Sequence, residues 1–517
     1  MDIEKDELPE GWAWASLRCL GHWYGGGTPN TETEAFWSGN IPWVSPKDMK
    51  TSKIVDAQDH ITEEAIRAST TNMVPENSVI AVTRSGILRH TFPVALTERS
   101  VAINQDLKAL VPYHGLSAAY IAAALRAFEK EVLGECVKHG TTVHSVEFDK
   151  LMAFEIPIAP PARHQEIVEK LDELLSEIDE GERGLRKVQA LLKKHRQAVL
   201  KAAVTGELTR DWRERHGSST ETGAALLTRI LAARRAAWEA DQKTKAKAAG
   251  KALKGEAWKE KYEEPAGPET EGLPALPPEW AWATVGQAMG LFGNGLSLRP
   301  NDTPPGNPIL RISAVRPMSV DPSDVRYYPY DAERYYVDMN DLLFTRYNGS
   351  AHLVGVCGLY REARPVLFPD KLIRARVHSP KLTVPGFLEI CMNCGASRGH
   401  IASRVKTSAG QQGIAGGDIK IAPFPLPSVD EQRQIIDRVE EEMSKIDAME
   451  AVVAAELRRA GRLRQTILKS AFTGKLVPQN PDDEPADALL ARLRTDRAAP
   501  PPPKRRGRPP HLAAGAP

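Results

Sequence analysis

The chain has 517 residues, of which 42% are hydrophobic, and a formal net charge of +1. This length exceeds what one hydrophobic core accommodates, so two or more domains are expected. The net charge alone gives no reason to expect a nucleic acid partner. No stretch approaches the roughly 18 consecutive apolar residues of a membrane helix, and the five thinly spread cysteines are typical of reduced thiols in the cytoplasm.

The chain contains a tandem duplication. LPEGWAWASL, from position 8, returns as LPPEWAWATV from position 276, and RQAVLKAAVTGELT, from position 196, returns as RQTILKSAFTGKLV from position 464. Both matches have the same offset, the one that relates Trp12 to Trp280, and Ile178-Asp179 and Ile446-Asp447 share it. Three separated matches in one register indicate a repeated unit of about 210 residues, with a linker between the copies.

Between the matched blocks the two halves differ. Residues 21–150 and 289–415 share almost no alignable sequence, and both predict mixed α/β structure, with short strands such as SVIAVT and DLLFTR and helices such as AAYIAAALRAF. Similar frames around dissimilar inserts favour a common scaffold that presents two different binding surfaces. Ordinary drift after duplication is the alternative.

Each half ends in a predicted long helix. Apolar residues recur in steps of four and three from Ile167 to Val199 and again from Ile435 to Ile467, which is the heptad pattern of a coiled coil. Prolines precede both helices, and Gly206 and Gly474 follow them as stop signals. Two helices of about 40 residues, each about 60 Å long, with one apolar seam apiece, are expected to pack antiparallel and to give a pseudo-twofold arrangement.

Motifs for catalysis are weak. Phe292-Gly293-Asn294-Gly295 faintly resembles a methyltransferase cofactor loop, but the sequence has no Asn/Asp-Pro-Pro-aromatic tetrapeptide and no GxxxxGK[ST] phosphate loop. The paired carboxylates and lysine of a nuclease metal site have a counterpart in Pro369-Asp370 and Asp418-Ile419-Lys420, but these segments are very short. A zinc site would need a second ligand pair at zinc spacing from Cys391-x-x-Cys394, and the sequence has none. We therefore expect neither catalytic residues nor a metal site.

Polar, glycine-containing segments in both inserts are candidates for contact with DNA. Major-groove recognition uses Arg or Lys for guanine and Asn or Gln for adenine, while Lys, Arg, Ser and Thr contact phosphates. In the first insert the candidates are Trp43, Lys47, Arg84, Ser85, Arg89, Lys138, Thr141 and Thr142. In the second they are Arg346, Asn348, Lys371, Arg374, Lys406, Gln411 and Gln412.

The C-terminal tail contains PPPPKRRGRPP. Arg506 and Arg508 flank a glycine as in an AT-hook, whose extended arginines bind a narrow A·T minor groove. A disordered basic tail with sequence-independent affinity for nucleic acid is the alternative.

Several segments resemble the specificity subunits of type I restriction–modification systems: TGELTRDWRE, EQRQII, ILKSAFTGKLV, LPPEWAWATV, KTSAGQQGIAGGDIK and, less widely shared, IPWVSPKDMK. The resemblance covers the chain except its basic tail. One departure is ARHQEIV at the start of the first long helix, where the family usually has a Glu-Gln-Arg-like sequence.

The resemblance implies two globular α/β (mixed α+β) target recognition domains separated by two long antiparallel coiled-coil helices. The predicted boundaries are the first recognition domain at 1–160, the first helix at 161–206, a linker at 207–272, the second recognition domain at 273–427, the second helix at 428–474 and a C-terminal segment at 475–517.

The implied function is recognition of a bipartite, asymmetric double-stranded DNA site for adenine methylation or cleavage by partner subunits. Two methyltransferase subunits carrying S-adenosylmethionine would dock on the long helices, and two motor–nuclease subunits using ATP and Mg²⁺ would complete the complex. This chain would itself bind no cofactor and no membrane. A coiled-coil adaptor that binds only proteins is the alternative, and a fused nuclease–methylase is disfavoured because no residues remain to form its catalytic domains.

Overall fold

A computed structural model describes residues 8–138, 140, 143–216, 221–250, 255–297, 299–408 and 411–498. The chain forms two compact units, the first made of Met1–Arg186 with Ala454–Pro517 and the second of Lys187–Val453. Each unit therefore contains one of the two inserts and a part of both long helices.

The first unit contains most of the elements before residue 187. Its strands are β1 (Ala13–Ser16), β2 (Gly21–Gly25), β3 (Ile41–Val44), β4 (Lys53–Ile54), β5 (Asp59–Ile61), β6 (Met73–Val74), β7 (Val79–Val82), β8 (Arg84–Ser85), β9 (Val94–Thr97), β10 (Val101–Ile103), β11 (Leu107–Pro112), β12 (Val137–Lys138), β13 (His144–Val146) and β14 (Glu155–Ile158). Its helices are α1 (Glu63–Arg67), α2 (Ala118–Ala127), α3 (Glu129–Cys136), α4 (Phe148–Ala153) and the start of α5 (His164–Thr205).

Four sheets organise this unit, in the orders β2-β11-β7-β9-β4, β5-β3-β10-β6, β12-β13-β8 and β1-β14. β7 is buried at all four positions because it lies inside its sheet and under α2, which explains its uninterrupted apolar sequence. Tyr120 of α2 is fully buried, and its ring contacts that of Phe472 in the second long helix, at 5.4 Å between centroids.

The second unit repeats this organisation. It contains the end of α5, then α6 (Arg210–His216), α7 (Gly223–Ala248), α8 (Val285–Ala288), α9 (Pro385–Asn393), α10 (Gly395–Ser403), α11 (Gly416–Lys420) and the start of α12 (Val429–Phe472). Its strands are β15 (Ala281–Thr284), β16 (Met289–Asn294), β17 (Asn307–Leu310), β18 (Val315–Arg316), β19 (Ser319–Val320), β20 (Val325–Tyr328), β21 (Tyr336–Val337), β22 (Leu342–Thr345), β23 (Tyr347–Asn348), β24 (Cys357–Leu359), β25 (Val366–Leu367), β26 (Leu372–Val377), β27 (Lys406–Ser408), β28 (Gln411–Gly413) and β29 (Pro423–Leu426).

The two inserts share one topology despite their dissimilar sequences. The second unit has sheets β16-β26-β22-β24, β20-β17-β25-β21, β23-β28-β27 and β15-β29, which correspond to the four sheets of the first unit. The differences are that the first of these sheets has four strands where its counterpart has five, and that the second unit has an additional hairpin, β18-β19. In both units one sheet contains the same parallel pair, β3 with β10 and β17 with β25. The inserts are therefore divergent copies of one mixed α/β domain, and the predicted fold class is confirmed.

The first long helix begins at His164, after a 3-10 turn at Pro161–Arg163, and the second begins at Val429, after Pro427. The side chain of Ser428 caps α12 by accepting a hydrogen bond from the backbone N–H of Glu431 at 3.2 Å. Gly206 and Gly474, which follow α5 and α12, have φ values of +80° and +69°, the left-handed conformation that glycine adopts most easily.

The two long helices pair antiparallel within each unit. In the first unit Arg464 of α12 binds the carboxylate of Asp179 in α5. In the second unit Arg196 of α5 binds Asp447 and also Glu450, the latter at 3.2 Å. The duplication relates the two interactions, because Asp179 and Asp447, and likewise Arg196 and Arg464, are equivalent positions of the repeat.

The first two seam residues of each long helix, Ile167 and Leu171 in α5 and Ile435 and Val439 in α12, are at most 2% exposed. Further along the helices, some seam positions are buried and others are exposed. Leu192, Val199, Ile446 and Val453 are 7%, 6%, 1% and 5% exposed. By contrast, Val188, Met449 and Leu463 are 42%, 54% and 49% exposed.

One further helix packs on each domain through equivalent contacts. The start of α7 packs on β15 in the second unit, and α13 (Ala486–Ala498) packs on β1 in the first. The backbone N–H of Gly223 donates to Glu279 O at 2.7 Å, and that of Ala486 donates to Gly11 O at 2.8 Å. Since Gly11 and Glu279 are equivalent positions of the duplication, the linker helix and the C-terminal helix belong to the repeat.

Candidate nucleic-acid interface

Predicted contact residues of the first insert come together on the sheet β12-β13-β8. Arg84 and Ser85 form β8, and Lys138 ends β12. The central strand β13 pairs Ser145 with Arg84 on one side and with Lys138 on the other. Arg84 and Lys138 are both exposed, so two cations lie on one small sheet.

Predicted residues of the second insert occupy the matching sheet, β23-β28-β27. Asn348 of β23 lies opposite Gln412 of β28, and Gln412 lies opposite Thr407 of β27. Lys406 begins β27 and Gln411 begins β28. Amides and a cation thus occupy the place that arginine, serine and lysine occupy in the first unit.

Backbone hydrogen bonds fix where each sheet leaves the domain core. After the buried strand β7, the N–H groups of Thr83 and Arg84 both donate to Asp106 O, at 2.8 and 3.2 Å. After the buried strand β22, the N–H of Arg346 donates to Lys371 O at 2.8 Å. In each unit the chain therefore passes from an apolar central strand directly into the polar sheet.

Two side chains of the second sheet have unsatisfied polar atoms. The guanidinium of Arg346 lies over the Tyr347 ring, 4.8 Å from its centroid, which holds its planar group in one orientation. Within the described residues, Arg346 Nε and Gln412 Oε1 are buried and have no hydrogen-bond partner. Since buried polar atoms are usually paired, these two side chains have hydrogen-bonding capacity that the described residues do not satisfy.

Other predicted residues surround these sheets. Arg89 ends the exposed 3-10 turn that follows Ser85, whose hydroxyl caps this turn by accepting from Ile87 N at 3.3 Å. Lys371 is exposed and lines a cleft of about 720 Å³ together with Asn348. The cleft is also lined by Arg299, Arg316 and Tyr347, which sequence reasoning missed because single residues in variable loops carry no distinguishing pattern.

Three predicted residues are engaged elsewhere. Trp43 is 8% exposed and donates its indole N–H to Gly27 O at 3.0 Å, so it lies in the domain core. Lys47 forms an ion pair with Asp59 at 2.7 Å. Arg374 donates to the carbonyls of Tyr336 and Arg334, and burial lowers the pKa of its guanidinium. Their proposed DNA contacts stay predictions. Thr141, Thr142, Arg506 and Arg508 lie outside the described residues.

The described part of the chain holds no group of three or more His, Cys, Asp or Glu side chains arranged to bind a metal ion. In the same ranges, no helix combines the length and apolar character needed to cross a membrane. All five cysteines are free thiols, and burial raises the pKa of Cys136 to about 11 and that of Cys394 to about 12.

Two domains of one topology, each presenting a polar three-stranded sheet and each followed by a long helix, define a tandemly duplicated protein with two equivalent candidate binding surfaces. Residues 9–187 match the family profile of the type I restriction modification DNA specificity domain.

Relatives and a solved structure extend this match. The specificity subunit of the type I restriction enzyme EcoKI of Escherichia coli K12 is 34% identical over 373 residues, which are 70% of this chain and 68% of that protein. The StySPI specificity subunit of Salmonella potsdam is 26% identical and covers 96% of this chain and 97% of its own length. A chain from a solved type I R-M system has the same fold, with a TM-score of 0.56, 14% identity and coverage of 90% of this chain and 99% of that one. The protein belongs to the type I restriction enzyme specificity subunits.

Proposed function

We propose that this chain recognises a bipartite, asymmetric double-stranded DNA sequence and directs adenine methylation or cleavage by partner subunits. The observation that carries the proposal is the pair of equivalent polar sheets, β12-β13-β8 and β23-β28-β27. Their scaffold is common, whereas the side chains differ: Arg84 and Ser85 on one correspond to Tyr347 and Asn348 on the other. One scaffold with two sets of side chains suits two half-sites of different sequence.

The partners and cofactors follow from the family. Two methyltransferase subunits dock on the paired helices and supply S-adenosylmethionine, and two motor–nuclease subunits supply ATP- and Mg²⁺-dependent cleavage. This chain contributes recognition and no catalytic residue, so an assay of methyl transfer or cleavage with the chain alone is expected to give no product. The free thiols support a cytoplasmic location.

A gel-shift experiment with the chain and a methyltransferase subunit tests DNA recognition. The complex is expected to retard duplex DNA, with an affinity that falls as salt rises, because phosphate contacts release counterions. Arg84→Ala should weaken the shift. Arg67→Ala, which removes an exposed arginine of α1 paired with Glu63 at 3.5 Å, is the control and should leave it unchanged. A wild-type complex that binds no DNA would support the protein-only adaptor instead.

A further inference from the structure

The cleft of the second unit is rich in arginine side chains. Its volume is about 720 Å³, and its walls come from the segments around residues 297–300, 310–316, 347–353 and 369–371. Arg299, Arg311, Arg316 and Arg326 all line it, with Lys371. Asp370 also faces the cleft and accepts a hydrogen bond from Ser297 at 3.1 Å.

Two of these arginines are neutralised by carboxylates. Arg311 lies 3.4 Å from Asp302 and 3.6 Å from Asp324, and it also donates to the backbone carbonyl of Val325 at 3.4 Å. Arg326 lies 2.8 Å from the same Asp302. Both guanidiniums therefore have a structural task, which is to tie β17 and β20 to the loop around Asp302.

Arg316 has no such partner. Its side chain makes one hydrogen bond, from Nη1 to the carbonyl of Val315 at 3.2 Å, and no carboxylate lies within ion-pair distance of it among the residues described. It is exposed and belongs to the short hairpin β18–β19, in which it pairs with Ser319 across a turn that contains Met318 at a φ of +63°. The backbone at Arg316 is thus fixed while most of the hydrogen-bonding capacity of its guanidinium is unused.

The same cleft also contains the amide of Asn348 and the ring of Tyr347, from a different wall. An arginine fork matches the O6 and N7 atoms of guanine, and an asparagine amide matches N6 and N7 of adenine. Lys371 adds a cation suited to phosphate. The chemistry of the cleft is therefore that of a surface for base edges, with a backbone contact beside it.

We propose that Arg316 reads a guanine in the half-site of the second domain and that this cleft forms part of the recognition surface. The inference rests on the proposed function, since it assigns a residue within that recognition. Arg311 and Arg326 line the same cleft, but each is paired with Asp302, so we assign no base to them.

The test is sequencing of methylated adenines after the chain and a methyltransferase subunit modify a randomised DNA library. Arg316→Ala should relax one G·C position in one half of the motif, with about a 5- to 150-fold loss of discrimination there. The other half should not change. Arg316→Lys retains the charge but loses the fork, so it should relax the same position. Arg364→Ala, which removes another exposed arginine of the second unit, is the matched control and should leave the motif intact.

Three results overturn the inference: an unchanged motif with Arg316→Ala, an equal loss of methylation on all sequences, or a change in both halves. The second would mark Arg316 as a phosphate contact. Thermal unfolding of each variant complex confirms that the protein is folded before the motif is compared. Failure of the proposed function is distinguishable, because the wild-type complex would then give no split motif at all.

Discussion

At the residue scale, the two halves have different residues at the start of the long helix, and both residues bind the preceding backbone. His164 is 3% exposed, stacks on Tyr120 at 4.3 Å between ring centroids and donates from Nε2 to Ala159 O at 3.0 Å. Its counterpart Gln432 accepts from Val384 N at 2.8 Å and donates to Pro427 O at 3.1 Å. Both side chains bind the backbone just before the helix, so the unusual ARHQEIV sequence preserves the junction.

The ion pairs beside this position are reversed in sign. Glu431, which is 3% exposed, accepts from Arg213 at 2.6 Å and from Trp280 at 2.8 Å. Its counterpart in the first unit is Arg163, which binds Asp483 at 2.5 Å. A carboxylate in one half and a guanidinium in the other occupy the same position of the repeat, and each is paired with a group of opposite charge.

His164 predicts a dependence of stability on pH. Burial lowers the pKa of its imidazole from 6.5 to about 4. The unfolded chain therefore binds a proton more readily than the folded chain between these two pKa values. The contribution of neutral His164 to the free energy of unfolding is fully present above pH 6.5 and is lost as pH falls towards 4. We expect this group to remove about 2 kcal/mol of stability between about pH 7 and about pH 5.

Urea unfolding of the wild type and of His164→Gln at both pH values measures this contribution. Glutamine is the residue at the equivalent position, Gln432, and does not titrate, so the variant should lack that part of the pH dependence. An identical pH dependence in the two proteins would show that His164 is protonated without cost in the folded state.

At the scale of elements, α7 and α13 pack equivalent apolar residues on the two domains. Leu226 and Ile230 of α7 are 0% and 2% exposed, and the equivalent Leu489 and Leu493 of α13 are 2% and 7% exposed. The equivalence extends to an ion pair between each helix and the residue two positions before its start, Arg229 with Glu221 and Arg492 with Glu484.

Leu226→Ala should destabilise the second unit by about 2–5 kcal/mol, because it removes a fully buried side chain and leaves a cavity. Arg229→Ala, on the exposed side of the same helix, should cost no more than about 1 kcal/mol. Unfolding of both variants in urea compares them. Equal costs would mean that α7 does not contribute to the core of the domain.

Sequence reasoning predicted some of these elements and missed others for identifiable reasons. The heptads from Ile167 to Val199 predicted α5, because apolar periodicity over many turns is a strong signal. The sequence did not reveal that α7 and α13 are equivalent helices of the repeat. The segments before these helices differ in length, so their residues do not share the offset that relates the other matches. A common scaffold for the two inserts was predicted, but the order of their strands was not, since a strand needs an apolar pattern and not a particular sequence.

At the scale of the whole molecule, the proposed function makes the paired helices a spacer between two recognition surfaces. An α-helix gains about 1.5 Å per residue, and base pairs are about 3.4 Å apart. One added heptad in each helix, inserted between positions 178 and 185 of α5 and between 460 and 467 of α12, should widen the gap in the DNA site by about three base pairs. Both half-sites should keep their sequences, as read from the methylated motif.

The positions of the two candidate surfaces were only partly predictable from the sequence. Arg84, Lys138, Asn348 and Gln412 were predicted from residue type and fall on matching sheets, because polar segments next to apolar strands leave the core at similar places. Trp43 was chosen for its aromatic ring, and its burial in the core could not be foreseen without knowing which side of β3 faces inward.

The most direct test of recognition by two independent domains is detection of methylated adenines by long-read sequencing in cells that express this chain with its methyltransferase partner. Wild-type chain should produce a split motif that is absent without it. A chimera with residues 21–150 replaced by those of another specificity subunit should change one half of this motif and leave the other half intact. A motif that does not depend on this chain, or a chimera that alters both halves, would contradict the independence of the two domains.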